Sequence, residues 1–380
     1  MSRTTKARLA LTSLALAASL GSASCSAEMD SPDEEPAAEE SAVKVDTSTP
    51  LARAQYDANV AFASGYRARC KPGTGKPRVL VTGFGRFQGL TNNATGRMLA
   101  SLLPGLSYPE TRSPPPGEID PPGPQLAVAQ GTLTLPRSGD VELCAMILPV
   151  YWDLAAILIA REIDAFGPDF VMMNGVAGSR QELWLELGSI NKAAPLDDGS
   201  DQLRPLPARN APFAPILESA GPQDQSRSNL LSWKAVALGA ADSVRAHEGD
   251  MDRGDRFGVL APGVKLAGFP RDSNTYLCNN ITYITGYLMD YPGRAVQLLR
   301  ASQKSPTKPN YVKAKIARDV RRVPRVFVHW PSSLADRHTR TGAQVMASIV
   351  DAQLAARATE PPARGDNASA APDLRGGDTF

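Results

Sequence analysis

Histidine is scarce in this 380-residue sequence, with three residues, and cysteine is hardly commoner, with four. His247, His329 and His338 stand at no spacing that gathers metal ligands, and the cysteines are scattered, so no metal site is expected. An excess of charge of one sign is missing too: 41 basic residues against 39 acidic ones leave a net +2. The short basic cluster RDVRRVPR carries no interleaved aromatic residues, which reads as a solvated face and not as a nucleic-acid surface. Nucleotide motifs are lacking in usable form. GFGRFQG follows an apolar run, but its third glycine, Gly89, falls one place late and no acidic residue stands near the ribose-binding position. KPGTGKP has neither the spacing nor the Ser/Thr of a phosphate loop, and G-x-S-x-G does not occur. No cofactor is therefore expected. What the chain does have is apolar material, 42% of its residues, enough for one large core or two small ones.

The apolar run at the start, Leu9 to Leu20, is too short to span a bilayer. It follows Arg3, Lys6 and Arg8 and has the length of a signal-peptide core, so residues 1–25 are expected to direct export. The run leads through SASC to Cys25 and resembles a bacterial lipobox, in which the cysteine becomes the lipid-bearing first residue; ordinary cleavage nearby is the other reading. Membrane contact is then expected only through that lipid, and the protein is otherwise periplasmic or secreted. Residues 26–50 are acidic and rich in Pro and Ala, as a disordered tether would be, and 359–380 read as a disordered tail. A single domain is expected over 51–358.

Within it apolar strands alternate with helical patterns. PRVLVTGFG precedes TGRMLASLL, and VELCAMILPV precedes YWDLAAILIAREIDAF, whose Leu154, Ile157, Leu158 and Ile163 mark one helical face. DFVMMNGVAG, the alternating QELWLELGSIN and RVFVHWP read as further strands, and TGAQVMASIVDAQLAARA as a last helix. Strands separated by helices predict an α/β fold with a mostly parallel sheet covered on both faces, its site at the carboxyl ends of strands. The proline-rich SPPPGEIDPPGP and the polar stretch 196–228 read as insertions.

One cysteine sits where chemistry is favoured. Leu277, Ile281, Ile284 and Leu288 recur at helical spacing, with the cap-forming types Asp272, Ser273 and Asn274 before them. That puts Cys278 in a first helical turn, where unpaired amides and the helix dipole favour the nucleophilic thiolate form of a cysteine. A buried structural thiol is the bland alternative. Cys70 and Cys144 can pair in an exported protein, or stay apart with Cys144 buried in its strand.

Six elements in order resemble the pyroglutamyl peptidase I (pyrrolidone-carboxylate peptidase) family of cysteine peptidases: VTGFGRFQG, MILPVYWDLAA, NGVAGSR, ELGSIN, RDSNTYLCN and VFVHWP, from about Val79 to Pro331. The resemblance implies a three-layer α/β/α sandwich that commonly forms homo-oligomers, and a triad carried by Glu186, Cys278 and His329. It implies peptides with N-terminal pyroglutamate as substrates, with Phe84 and Phe87 flanking the lactam ring and Asn93 as a hydrogen-bonding partner. Gly85, Arg86, Gln88, Ala94, Val176 and Trp330 depart from the family's pattern, and these changes touch the pocket more than the triad. A surface lipoprotein that keeps the fold as a binding module is the competing expectation.

Overall fold

The apolar runs assemble into one sheet. The computed structural model describes residues 40–73, 75–177, 183–247, 264–305, 309–331 and 338–368. Its main strands are β1 (Arg78–Phe84), β2 (Ala127–Leu135), β3 (Gly139–Leu148), β4 (Phe170–Ala177), β5 (Leu183–Glu186), β6 (Val264–Ala267) and β7 (Arg325–Pro331), in the spatial order β6-β5-β7-β4-β1-β3-β2. The central four, β7, β4, β1 and β3, are parallel. β2 runs antiparallel to β3 at one edge, and β5 runs antiparallel to β7 near the other. Every residue of β7 is buried, as are Val79–Phe84 of β1, which is why these segments read as continuous apolar runs.

Among the described residues, six longer helices cover the sheet: α1 (Pro50–Gly65), α2 (Ala94–Leu102), α3 (Leu154–Phe166), α4 (Trp233–Ala246), α5 (Leu277–Asp290) and α6 (Thr339–Ala356). α1, α3 and α5 pack into one apolar cluster with one sheet face, and α2, α4 and α6 into a second cluster with the other. The fold is thus the expected three-layer α/β/α sandwich. α5 is buried almost all round, Leu277, Ile281, Ile284 and Leu288 included, so its long axis is fixed by packing on every side.

The ordered chain extends beyond both expected boundaries of 51 and 358. Glu40–Ser41 pairs in parallel with Val296–Gln297, so part of the acidic stretch read as tether is held by strand hydrogen bonds to a segment some 250 residues away. At the other end Ala363–Arg364 pairs with Leu230–Leu231, and the Glu360 carboxylate accepts the amides of Lys234 and Ala235 at the start of α4, 2.9 Å each. Composition signals disorder in both places, while the backbone there pairs with strands distant in sequence. Cys25 lies outside the described residues.

One covalent and one ionic clasp fasten segments outside the sheet and helices. Cys70 and Cys144 form a disulfide that ties the segment after α1 to β3. Beside it the buried Glu162 carboxylate of α3 accepts the amides of Arg69 (2.8 Å) and Cys70 (3.0 Å) and the Tyr66 hydroxyl. Cys70, Cys144 and Glu162 lie close enough to suggest metal ligands, yet the two sulfurs are bonded to each other and both carboxylate oxygens are engaged. The second clasp is Arg86, 1% exposed. Its Nε donates to Thr111 Oγ1 (3.3 Å), its Nη1 to Ser113 Oγ (3.1 Å), and its Nη2 pairs with the buried Asp120. The proline-rich insertion is therefore wrapped around a buried guanidinium.

Candidate active site

Three side chains far apart in sequence meet beside the ends of the central strands. His329 lies in β7, directly opposite Gly175 of β4 and Trp184 of β5. Glu186 is two residues on from Trp184 and so shares its face, diagonal to the imidazole. Its Oε1 lies 2.5 Å from His329 Nδ1, and both residues are at most 1% exposed. Cys278 is the second residue of α5, and its sulfur faces the imidazole closely enough to raise the ring's pKa. Burial alone would push the ring's pKa down. The Glu186 carboxylate and the Cys278 sulfur outweigh that, and hold it up at about 10.

The thiol reaches the ring because β4 has no side chain there. A Cβ on Gly175 would stand 2.8 Å from Cys278 Sγ and 2.7 Å from Phe327 Cζ. Phe327 in turn packs edge-on against the His329 ring, with centroids 4.8 Å apart. The helix carrying the cysteine is anchored by its next two residues. Asn279 donates to the carbonyls of Ile190 (2.9 Å) and Lys192 (2.8 Å) and accepts from Ile190 N (3.0 Å), while Asn280 donates to the buried Asp153 (3.2 Å). The first intrahelical hydrogen bond is Asn280 N to Tyr276 O, 3.0 Å, so the helix itself leaves the amides of Leu277, Cys278 and Asn279 unused.

The expected cap differs. Tyr276, extended, is the N-cap, and no side chain caps the helix. Asn274 instead adopts a left-handed φ of +58° and donates from Nδ2 to Glu186 Oε1, 2.8 Å. A polar residue before a helix reads as a cap from sequence, but here the carboxylate competes for it.

Beside the thiol is a small cavity of about 70 Å³, lined by Phe84, Phe87, Asn93, Val150, Val176, Tyr276, Leu277 and Cys278. All three residues expected to contact substrate are thus in its wall. Phe87 is presented by a tight turn in which it exchanges backbone hydrogen bonds with Leu90, at 3.1 and 2.8 Å. Asn93 is the N-cap of α2: its Oδ1 accepts from Thr95 N (3.2 Å) and Thr95 Oγ1 (2.8 Å), so only its amide nitrogen remains for a ligand. Of the six departures from the family's pattern, Val176 alone lines the cavity. Arg86 is turned into its clasp, and Trp330 donates to Asn174 Oδ1 (2.9 Å).

Sequence reading missed Tyr276, Gly175 and Asn274. Tyr276 meets Phe87 edge-on at 5.9 Å and Trp152 at 5.3 Å, and its hydroxyl donates to the Asp197 carbonyl. The polar insertion after Leu196 thereby backs the aromatic wall. Within it, Asp198 is fully buried, which raises its pKa to about 7. NGVAG did contain the signal for Gly175, since glycine in a strand marks close approach of another group.

The geometry defines a buried carboxylate–imidazole pair with a thiol on a helix N-terminus, set beside an apolar cavity. No family model and no curated protein matches the chain. Among solved structures it is similar to pyroglutamyl peptidase I of Bacillus amyloliquefaciens, 15% identical with a TM-score of 0.42 over 73% of this chain and 97% of that one. Pyrrolidone carboxyl peptidase of Pyrococcus furiosus is likewise 15% identical, with a TM-score of 0.42 over 73% and 98%. That of Thermococcus litoralis is 15% identical, with a TM-score of 0.40 over 74% and 95%. At this identity and overlap the likeness carries no functional weight of its own.

Proposed function

We propose that the chain is an exported cysteine peptidase that removes N-terminal pyroglutamate from peptides, with Cys278 as nucleophile, His329 as base and Glu186 as orienter. The observation that carries this reading is the 2.5 Å contact of His329 Nδ1 with Glu186 on a ring that also feels the Cys278 sulfur. With Nδ1 on Glu186, Nε2 is the nitrogen that meets the sulfur and accepts or shares its proton. Sulfur attacks the carbonyl carbon of the pyroglutamyl amide, and the unused amides of Cys278 and its neighbours receive the oxyanion. The C–N bond then breaks, the imidazolium returns the proton to the leaving amine, and a thioester remains. Water, deprotonated by the same imidazole, cleaves the thioester to free pyroglutamate and thiol. The flat lactam fits between Phe84 and Phe87, with the Asn93 amide as its polar partner.

Export is supported by the Cys70–Cys144 disulfide, since such bonds persist in oxidising compartments. Anchoring through a lipid on Cys25 rests on the SASC segment. Purified protein should hydrolyse a fluorogenic pyroglutamyl amide and leave other aminoacyl amides intact, and Cys278→Ala should be inactive. A protein that binds pyroglutamate without turnover would be a binding module instead. Cys25→Ser should release the protein from membranes into the soluble fraction.

A further inference from the structure

Asn274 combines a left-handed backbone with a side-chain bond into the site. Its φ of +58° is a conformation that glycine adopts freely and other residues adopt at a cost, asparagine less than most. Its side chain is spent on a single partner, Glu186 Oε1, at 2.8 Å. That is the oxygen which also receives His329 Nδ1, while Glu186 Oε2 is buried with no hydrogen-bond partner among the described residues. One oxygen thus carries both bonds that fix the carboxylate, and one of them comes from the segment that leads, four residues later, to Cys278. Backbone bonding holds that segment in place, with Ala194 N donating to Thr275 O at 2.9 Å.

We propose that Asn274 is a positioning residue: its amide locks the Glu186 carboxylate in the rotamer that holds the His329 ring toward the thiol, so one loop sets both the nucleophile and its orienter. This rests on the triad roles proposed above. A residue kept only for its backbone shape would be replaceable by glycine, and one kept for its amide would not.

The test compares Asn274→Gly, which relieves the backbone but deletes the amide, with Asn274→Ala, which deletes the amide and keeps the strain. Rates of Cys278 labelling by iodoacetamide and the proton resonance of His329 Nδ1–H are read in the purified protein, beside the melting temperature. Loss of one hydrogen bond to a carboxylate predicts labelling slowed roughly tenfold in both variants. The Nδ1–H resonance should move in both, while Asn274→Ala, which keeps the strain, melts earlier than Asn274→Gly. Parental labelling and an unmoved resonance in Asn274→Gly would overturn the proposal, even if pyroglutamyl amides are hydrolysed. Conversely, slowed labelling in a protein that hydrolyses no pyroglutamyl amide would leave Asn274 positioning the cluster and sink the peptidase reading alone.

Discussion

Replacing Gly175 by alanine should disable the thiol without unfolding the protein. The added Cβ would lie 2.8 Å from Cys278 Sγ and 2.7 Å from Phe327 Cζ, with Phe327 Cε1 at 3.2 Å. Non-bonded heavy atoms rest at about 3.5–4.0 Å, so sulfur and ring must each retreat by roughly 1 Å. Gly175 has an ordinary strand backbone, so the methyl group acts through space alone. Overpacking of this kind costs about 1–3 kcal/mol, which a fold of this size survives with a melting point a few degrees lower. The chemistry fares worse. Phe327 braces the His329 ring, so both nucleophile and base move, and a misplacement of about 1 Å can cost on the order of a hundredfold in rate. Hydrolysis of a pyroglutamyl amide and iodoacetamide labelling of Cys278 should fall together, with circular dichroism unchanged. Labelling at the parental rate in a folded variant would refute the reasoning, because the thiol would then not occupy the space over Gly175.

Phe87→Ala removes one face of the cavity and an apolar contact worth about 1.5–3 kcal/mol, so KM should rise roughly tenfold or more with Cys278 labelling little changed. Equal loss of labelling would mean that Phe87 supports the fold. For pH, the folded His329 pKa of about 10 lies above its ordinary 6.5, so the stability it contributes is complete below pH 6.5 and is lost as pH rises through about 10. Urea midpoints should fall across that window in the parent and less steeply in His329→Gln; identical slopes would contradict the assignment. Removing the Cys70–Cys144 bond by paired serine substitutions frees a loop of 74 residues in the unfolded chain. Chain entropy sets that loss at about 4 kcal/mol, measurable by calorimetry, and an unchanged melting point would show that the bond is not formed.

The sheet was legible because its strands are buried on both faces and so read as apolar runs, as in Val79–Phe84 and Arg325–Pro331. α1 was not legible, and the reason is chemical. Its core-facing positions include Gln55 and Asn59, both fully buried, which hydrogen-bond to each other (3.0 Å), with Gln55 also reaching the Asp120 carbonyl (2.8 Å). A count of apolar periodicity passes over such a face. β2 was missed because this edge strand is half-buried or exposed along its length, with Leu135 alone buried. In the site, Cys278 stood out by its place in a first helical turn, whereas His329 was singled out only by the family resemblance. Asn274 did not stand out, since its partner lies 88 residues earlier and its own neighbourhood resembles an ordinary cap.

The Arg86 clasp constrains how this protein can be altered. The proline-rich insertion looks dispensable as a surface excursion, but Asp120 and the Ser113 and Thr111 hydroxyls supply the acceptors for a guanidinium that is otherwise sealed from water. Trimming the insertion would strand that charge beside the turn bearing Phe87, and breaking a buried pair from one side costs about 3–5 kcal/mol. Loop and arginine therefore form one inheritable unit. A shortened variant becomes viable only if Arg86 is exchanged for an apolar residue in the same step, so engineering toward a smaller scaffold has to cross both changes at once.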